Sequence, residues 1–261
     1  MDKYSCFEHL SAHETRGADY EVCWRRGRSG IAVISIHGGA IEPGTSEIAD
    51  AIAGADHSFY TFKGVKKAGN RDLHITSTTF DEPCALEILR RSEIIISIHG
   101  CRGQEEVVHV GGLDSKLRRR IGAKLRMAGF EAPRGTWSFY PVSRTTARAS
   151  QVCQACPGPR SGGLDPGAED PRNPYRTETN LRGLDKRNIC NRCGHAGGVQ
   201  LEISKGLRAR MLGSLSHGAG LRSGTFPGFI QAVREAIESI TLDVSLLDPG
   251  DFPLKKTLFK G

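Results

Sequence analysis

The sequence predicts an α/β fold: an open mixed, mostly parallel sheet with helices on both faces. Three observations lead there. IAVISI at residues 31–36 and IIISI at residues 94–98 are apolar and β-branched almost without interruption, the pattern of strands covered on both faces. Strand-like and helix-like segments alternate along the chain, as in βαβ units. The 261 residues are enough to bury the core that such a sheet needs.

Each element has its own signal. Residues 31–36 form the first buried strand; Thr45 or Ser46 then caps a helix through IADAIAG, with Glu47 in its first turn. SFYTFK at 58–63 and LHIT at 73–76 read as short strands. Asp81 opens a helix to about Arg91, since Pro83 is tolerated in a first turn. Residues 94–98 form the second buried strand and 107–110 an edge strand. Asp114 caps an amphipathic helix running to about Ala128 and closed by Gly129. VQLEI at 199–203 is a strand, followed by helices over 205–212 and 226–240. Between about 133 and 183 periodicity is lost and Pro, Gly and charge dominate, which reads as an irregular insertion in one domain spanning 1–261.

Composition narrows the function. No stretch approaches the ~20 apolar residues of a membrane span, so no membrane partner is expected. The start of the chain lacks the basic and apolar pattern of a secretory signal. The expectation is a protein cytoplasmic as synthesised, with any release by lysis, and a monomer. A net charge of +7 and a pI near 9.1 fit either excess surface arginine or attraction to a polyanion. The dense basic run, Lys116 to Arg120, lacks the interleaved aromatics that stack bases and reads as a solvated helix face. Of eight cysteines, Cys153/Cys156 and Cys190/Cys193 form two C-x-x-C pairs that could hold a structural zinc. The chain has no G-x-S-x-G elbow and no G-x-x-x-x-G-K-[ST] phosphate loop, and Cys84 and Cys101 have no identified base.

The pentapeptide ISIHG occurs at residues 34–38 and again at 96–100, each copy an apolar strand ending on histidine and then glycine. Ligands in open α/β sheets gather at the carboxyl ends of strands. His37 is followed by two glycines, then Glu42 and a Pro43-Gly44 turn; His99 ends the second strand. If those strands are neighbours, His37, Glu42 and His99 could converge on one zinc ion with a position left open for water. Glu202 is a carboxylate inside an apolar strand, costly unless used, and could serve as general base to that water. Two strand-end histidines that never meet, and a glutamate on a solvent face, are the plainer alternatives.

HGGAIEPGTSE, LHITSTTFDEP, the second IHG, VGGL, RNICNR and GVQLEIS occur in that order. Together they resemble the phage-type poly-γ-glutamate hydrolase family over residues 30–130 and 185–210. The resemblance implies a zinc-dependent, peptidase-like hydrolase with a zinc carboxypeptidase-like sheet. It implies metal ligation by His37, Glu42 and His99, with Glu202 as the catalytic carboxylate. Cys190 lies within the RNICNR stretch and so has an explanation other than a four-cysteine site. Arg192 could grip a substrate carboxylate bidentately beside Asn191, as a similar pair does in zinc carboxypeptidases, although the chain order is reversed here. His74, inside LHITSTT, is expected to line the cleft. The function expected is hydrolysis of γ-glutamyl amide bonds in an anionic polymer. The alternatives are a zinc amidase or carboxypeptidase-like enzyme on another acidic or N-acyl amino acid, or a basic phage accessory protein that binds nucleic acid.

Overall fold

The computed structural model describes residues 2–134, 182–193, 197–213, 215 and 223–245, and for 241–245 the backbone alone. Most of the expected insertion, residues 135–181, lies outside them, as do Cys153 and Cys156. Six strands form one sheet: β1 (Tyr20–Arg25), β2 (Ile31–Gly39), β3 (Ser58–Gly64), β4 (Ile94–Cys101), β5 (Val108–Gly111) and β6 (Val199–Ser204). Their spatial order is β1-β3-β2-β4-β6-β5. The inner four are parallel, while β1 and β5 close the two edges in antiparallel fashion.

Two apolar cores sandwich the sheet, and each strand sends alternate side chains to each. Ile31, Val33, Ile96, Ile98, Leu201 and Ile203 join the first core. It is covered by α2 (Thr45–Ala53), α4 (Ser115–Met127), α5 (Lys205–Leu212) and α6 (Thr225–Ser245). Ile34, Ile36, Tyr60, Phe62 and Ile95 face the second core. That side is covered by α1 (Phe7–Ser11), α3 (Pro83–Arg90) and the extended stretch holding Leu73 and Ile75.

Several local expectations change. Residues 73–76 are not a strand: a 3₁₀ turn, Asn70–Leu73, leads into irregular chain that buries Leu73 and Ile75. Glu82, not Asp81, caps α3, accepting from the Ala85 amide at 2.9 Å. Asp81 instead accepts the Phe7 amide at 2.6 Å, fastening the N-terminal segment. Neither Thr45 nor Ser46 caps α2; its N-cap is Gly44 at φ 95°, a conformation open to glycine at little cost. β1 and α1 carry no strong sequence signal, since each is short and mixes its apolar residues with charge. Among the described residues no helix is long and apolar enough to cross a membrane.

One detail of the sheet matters most for the site. β2 and β4 pair with Ile34 opposite Ser97, a stagger of one residue between the two ISIHG copies. Equal positions of the repeat therefore face opposite cores: Ile34 and Ile36 the second, Ile96 and Ile98 the first. Strict alternation would put His37 and His99 on opposite faces as well. Against β3, however, Ser35 pairs with Thr61 and Gly38 with Lys63, so β2 carries one extra residue there. This bulge resets the alternation and turns His37 to the face of His99.

Candidate metal centre

The two histidines come together at the carboxyl ends of adjacent parallel strands. His37 Nδ1 and His99 Nδ1 lie 3.2 Å apart, and both rings are almost wholly buried. Glu42 reaches them from the loop after β2: its Oε1 is 3.2 Å from His37 Nδ1 and its Oε2 is 3.8 Å from His99 Nδ1. That loop is closed by the Glu42 amide donating to the His37 carbonyl at 2.9 Å, and by Thr45 Oγ1 donating to the Glu42 carbonyl at 2.9 Å. The second carboxylate oxygen accepts the Gly100 amide at 2.8 Å.

The glycine after each histidine answers a packing demand. A Cβ at Gly38 would stand 2.1 Å from Ser46 Oγ and 2.4 Å from Thr61 Oγ1. A Cβ at Gly100 would stand 2.6 Å from the Arg208 guanidinium carbon. Neither position tolerates a side chain without displacing its neighbours.

The outer nitrogens decide what the inner ones can do. His37 Nε2 lies 2.9 Å from the Ile75 carbonyl oxygen, which only accepts, so Nε2 carries the hydrogen. His99 Nε2 lies 2.8 Å from Ser97 Oγ. With both Nε2 atoms donating, two Nδ1 lone pairs and a carboxylate face one point, and only a cation relieves that arrangement. Among the described residues, His37, Glu42 and His99 are the one cluster of three candidate ligand side chains. Two imidazoles and a carboxylate within 4.8 Å of one another suit a small divalent ion such as zinc.

Burial would lower the His37 pKa, but the Glu42 carboxylate outweighs it and holds His37 above its ordinary value. Burial would raise Glu42, yet His37 and His99 pull it down to about 2. His99 falls to about 3, through burial first and the nearby His37 charge second.

Glu202 sits beside this cluster. It pairs with His99 in the β4–β6 register, on the same face, and is buried. Gln200 Nε2 donates to Glu202 Oε1 at 2.7 Å, and Asn188 Nδ2 donates to Gln200 Oε1 at 2.8 Å. Burial, then repulsion from Glu42, raises the Glu202 pKa well above the ordinary carboxylate value. β6 is an inner strand rather than a wet edge, so no solvent-facing role accounts for this carboxylate.

His74 stacks on His37 with ring centroids 3.9 Å apart, and its side chain is one-third exposed. Its Nδ1 lies 2.8 Å from Asp2, which also accepts the Thr76 amide and hydroxyl, each at 2.6 Å. Two contributors had no sequence signal. Asp2 lies 72 positions away in the chain, and Arg208 looked like any helix arginine. Arg208 is buried under Gly100 and donates to the carbonyls of Ile203 at 3.0 Å, Cys101 at 3.1 Å and Pro43. Those carbonyls belong to the chain beside Glu202, His99 and Glu42 respectively.

Asn191 and Arg192, the residues expected to contact substrate, both hydrogen-bond within the chain. Arg192 donates to the carbonyls of Arg187 at 2.7 Å, Phe80 at 2.9 Å and Thr78 at 2.7 Å. Asn191 Nδ2 donates to Gly183 and Asp185 carbonyls at 2.7 and 2.8 Å, while its Oδ1 accepts the Leu113 and Gly198 amides. Both residues stitch chain together behind the site. Cys190 and Cys193 are buried in the second core, where burial raises both thiols, Cys193 to about 11.

The sequence matches a family described as poly-gamma-glutamate hydrolase over residues 4–147 and 172–232. YndL of Bacillus subtilis (strain 168) is 44% identical over 131 residues, 50% of this chain and 51% of YndL, so the match spans about half of that relative. The fold resembles that of a bacteriophage poly-gamma-glutamate hydrolase, with TM-score 0.72, 29% identity, and coverage of 94% of this chain and 100% of that one. It resembles YndL in an apo, zinc-free form equally well, with TM-score 0.71, 30% identity, and coverage of 92% and 99%.

Proposed function

Since the chain belongs to the poly-gamma-glutamate hydrolase family, we propose that it is a zinc-dependent hydrolase cleaving γ-glutamyl amide bonds. The observation that carries this is the convergence of His37 Nδ1, His99 Nδ1 and the Glu42 carboxylate, with both outer nitrogens already tied. Zinc bound there would polarise the scissile carbonyl and acidify a water molecule.

The remaining steps belong to the chain. Burial and the Glu42 charge both hold the Glu202 pKa well above the ordinary carboxylate value. Once a cation engages Glu42, the second cause falls away and Glu202 can accept the proton of the attacking water. The water oxygen bonds to the carbonyl carbon as the carbonyl π bond opens; Glu202 then delivers the proton to the amide nitrogen, and the C–N bond breaks as the carbonyl re-forms, releasing the amine. Gln200 fixes the Glu202 carboxyl by a 2.7 Å hydrogen bond. His74, partly exposed and braced by Asp2, borders the cleft and is the candidate to touch substrate.

Metal analysis with parallel measurement of γ-polyglutamate chain length tests this. The wild type should bind about one zinc per chain and shorten the polymer. Glu42→Ala should lose both metal and cleavage. Glu202→Gln should keep the metal and lose about 100- to 10,000-fold in rate. Full metal content and undiminished cleavage in Glu42→Ala would sink the assignment. Cleavage of N-acylglutamates but not of polymer would move the protein to the amidase alternative.

A further inference from the structure

A second feature lies on the other side of the sheet edge. One face of α4 from Arg118 to Arg126, the end of β5 and residues 133–134 and 182–184 line a groove of about 590 Å³. Arg118, Arg119, Arg126, Arg134 and Arg182 line it, and the described lining residues include no Asp or Glu. Five like charges around one space repel each other unless something anionic lies between them. Arg126 and Arg182 each leave a buried Nε–H with no hydrogen-bond partner. Burial and the Arg134 charge pull the Arg126 guanidinium below its ordinary value.

The helix gives up stability to make this space. Gly122 sits mid-helix between Arg118 and Arg126, one turn from each, where glycine is a poorer helix former than alanine. A Cβ there would stand 3.2 Å from Arg126 Nη1, inside the groove's arginine wall. The floor includes Val110 and Gly111 of β5, and Gly111 pairs with Gln200, the residue that holds Glu202. The groove therefore runs along the edge strand next to the strand of the proposed base.

We propose that this arginine-lined groove is a subsite for a linear polycarboxylate, holding carboxylates of a substrate chain away from the bond being cut. The identity of that chain as γ-linked glutamate rests on the function proposed above. A γ-linked polymer leaves one free carboxylate on every residue, and guanidinium pairs with carboxylate through charge-assisted hydrogen bonds. A helix face that looks merely solvated in sequence thereby becomes one wall of a recognition surface.

The test uses Arg119→Gln/Arg134→Gln, two exposed positions, with Arg119→Lys/Arg134→Lys as the charge-conserving control. Binding of labelled long γ-polyglutamate is measured in a Glu202→Gln background, beside poly-α-glutamate and a single-stranded DNA oligonucleotide of similar charge. Exposed ion pairs contribute up to ~1 kcal/mol each, so the Gln pair should weaken polycarboxylate binding about tenfold. The Lys pair should retain most of it, and the wild-type affinity should fall with added salt. Unchanged polymer affinity in the Gln pair would overturn the proposal and leave the proposed chemistry standing. Arginine-dependent binding of poly-α-glutamate, with no γ-glutamyl bond cut by the protein that retains Glu202, would sink the chemistry and leave the groove. Tighter, arginine-dependent binding of DNA than of either polycarboxylate would overturn the carboxylate assignment.

Discussion

At the scale of single residues, the two ISIHG copies show how one motif serves two geometries. Each strand must end on a histidine and then let a bulky neighbour pass close to the backbone, which only glycine allows. The neighbours differ: a Ser46–Thr61 hydroxyl pair at Gly38, and the Arg208 guanidinium at Gly100. Gly38→Ala should therefore destabilise the protein by about 1–3 kcal/mol, the usual cost of forcing atoms into a packed interior. Thermal or denaturant unfolding would register this, and a wild-type midpoint would refute the steric argument. Both histidines, Glu42 and Glu202 were legible in the sequence because each is a polar residue at an unusual place: the end of an apolar run, a Pro-Gly turn, the middle of a strand. Asp2 and Arg208 were not. Their importance comes from what lies beside them in space, and nothing in the local pattern records it.

At the scale of elements, Arg208 joins pieces that the chain order keeps apart. From α5 it reaches the ends of β4 and β6 and the loop after β2, and each carries a member of the site. Arg208→Met would leave three carbonyls with a lost donor, at a cost of about 3 kcal/mol or more. It should also loosen the ligand geometry and weaken zinc binding about 10- to 100-fold, as removal of supporting contacts around metal ligands does. Chelator competition and melting temperature read the two effects separately. Wild-type zinc affinity at a lowered melting point would make Arg208 a structural residue alone. Asn191 and Arg192 illustrate the converse. In sequence they look like substrate-binding groups, yet the fold consumes their hydrogen bonds internally.

For the molecule as a whole, the N-terminal segment acts as a strap across the second core. Tyr4 and Leu10 are buried there, and Asp2 reaches His74 at the edge of the site. Glu14 anchors the strap: its carboxylate accepts from Tyr4 Oη at 2.5 Å and Lys66 Nζ at 2.8 Å. Burial alone would raise its pKa, but the Lys66 and Tyr4 hydrogen bonds prevail and lower it from 4.5 to about 2. A carboxylate with a depressed folded pKa contributes stability that is complete above its unfolded value and vanishes as pH falls through the folded one. Glu14 should thus supply about 3 kcal/mol that is lost between about pH 4.5 and pH 2. Glu14→Gln should be less stable than the wild type at pH 6, with the gap closing toward pH 2. A gap that stays constant across that range would show that the carboxylate charge is not what holds the strap.

The division between sequence and structure follows from the range of the forces involved. Apolar runs, helix caps and turn residues act on their neighbours in the chain, so the strands, most helices and the four central polar residues could be read directly. By itself the sequence determined that two buried strands end in histidines and that Glu42 and Glu202 stand ready near strand ends. Only the tertiary structure decided that β2, β4 and β6 lie side by side, and that the two repeats pair one residue out of step. It also decided that a single extra residue in β2 turns His37 onto the face of His99. Register and face are settled by burying two cores at once, a condition on the whole sheet that no pentapeptide can carry.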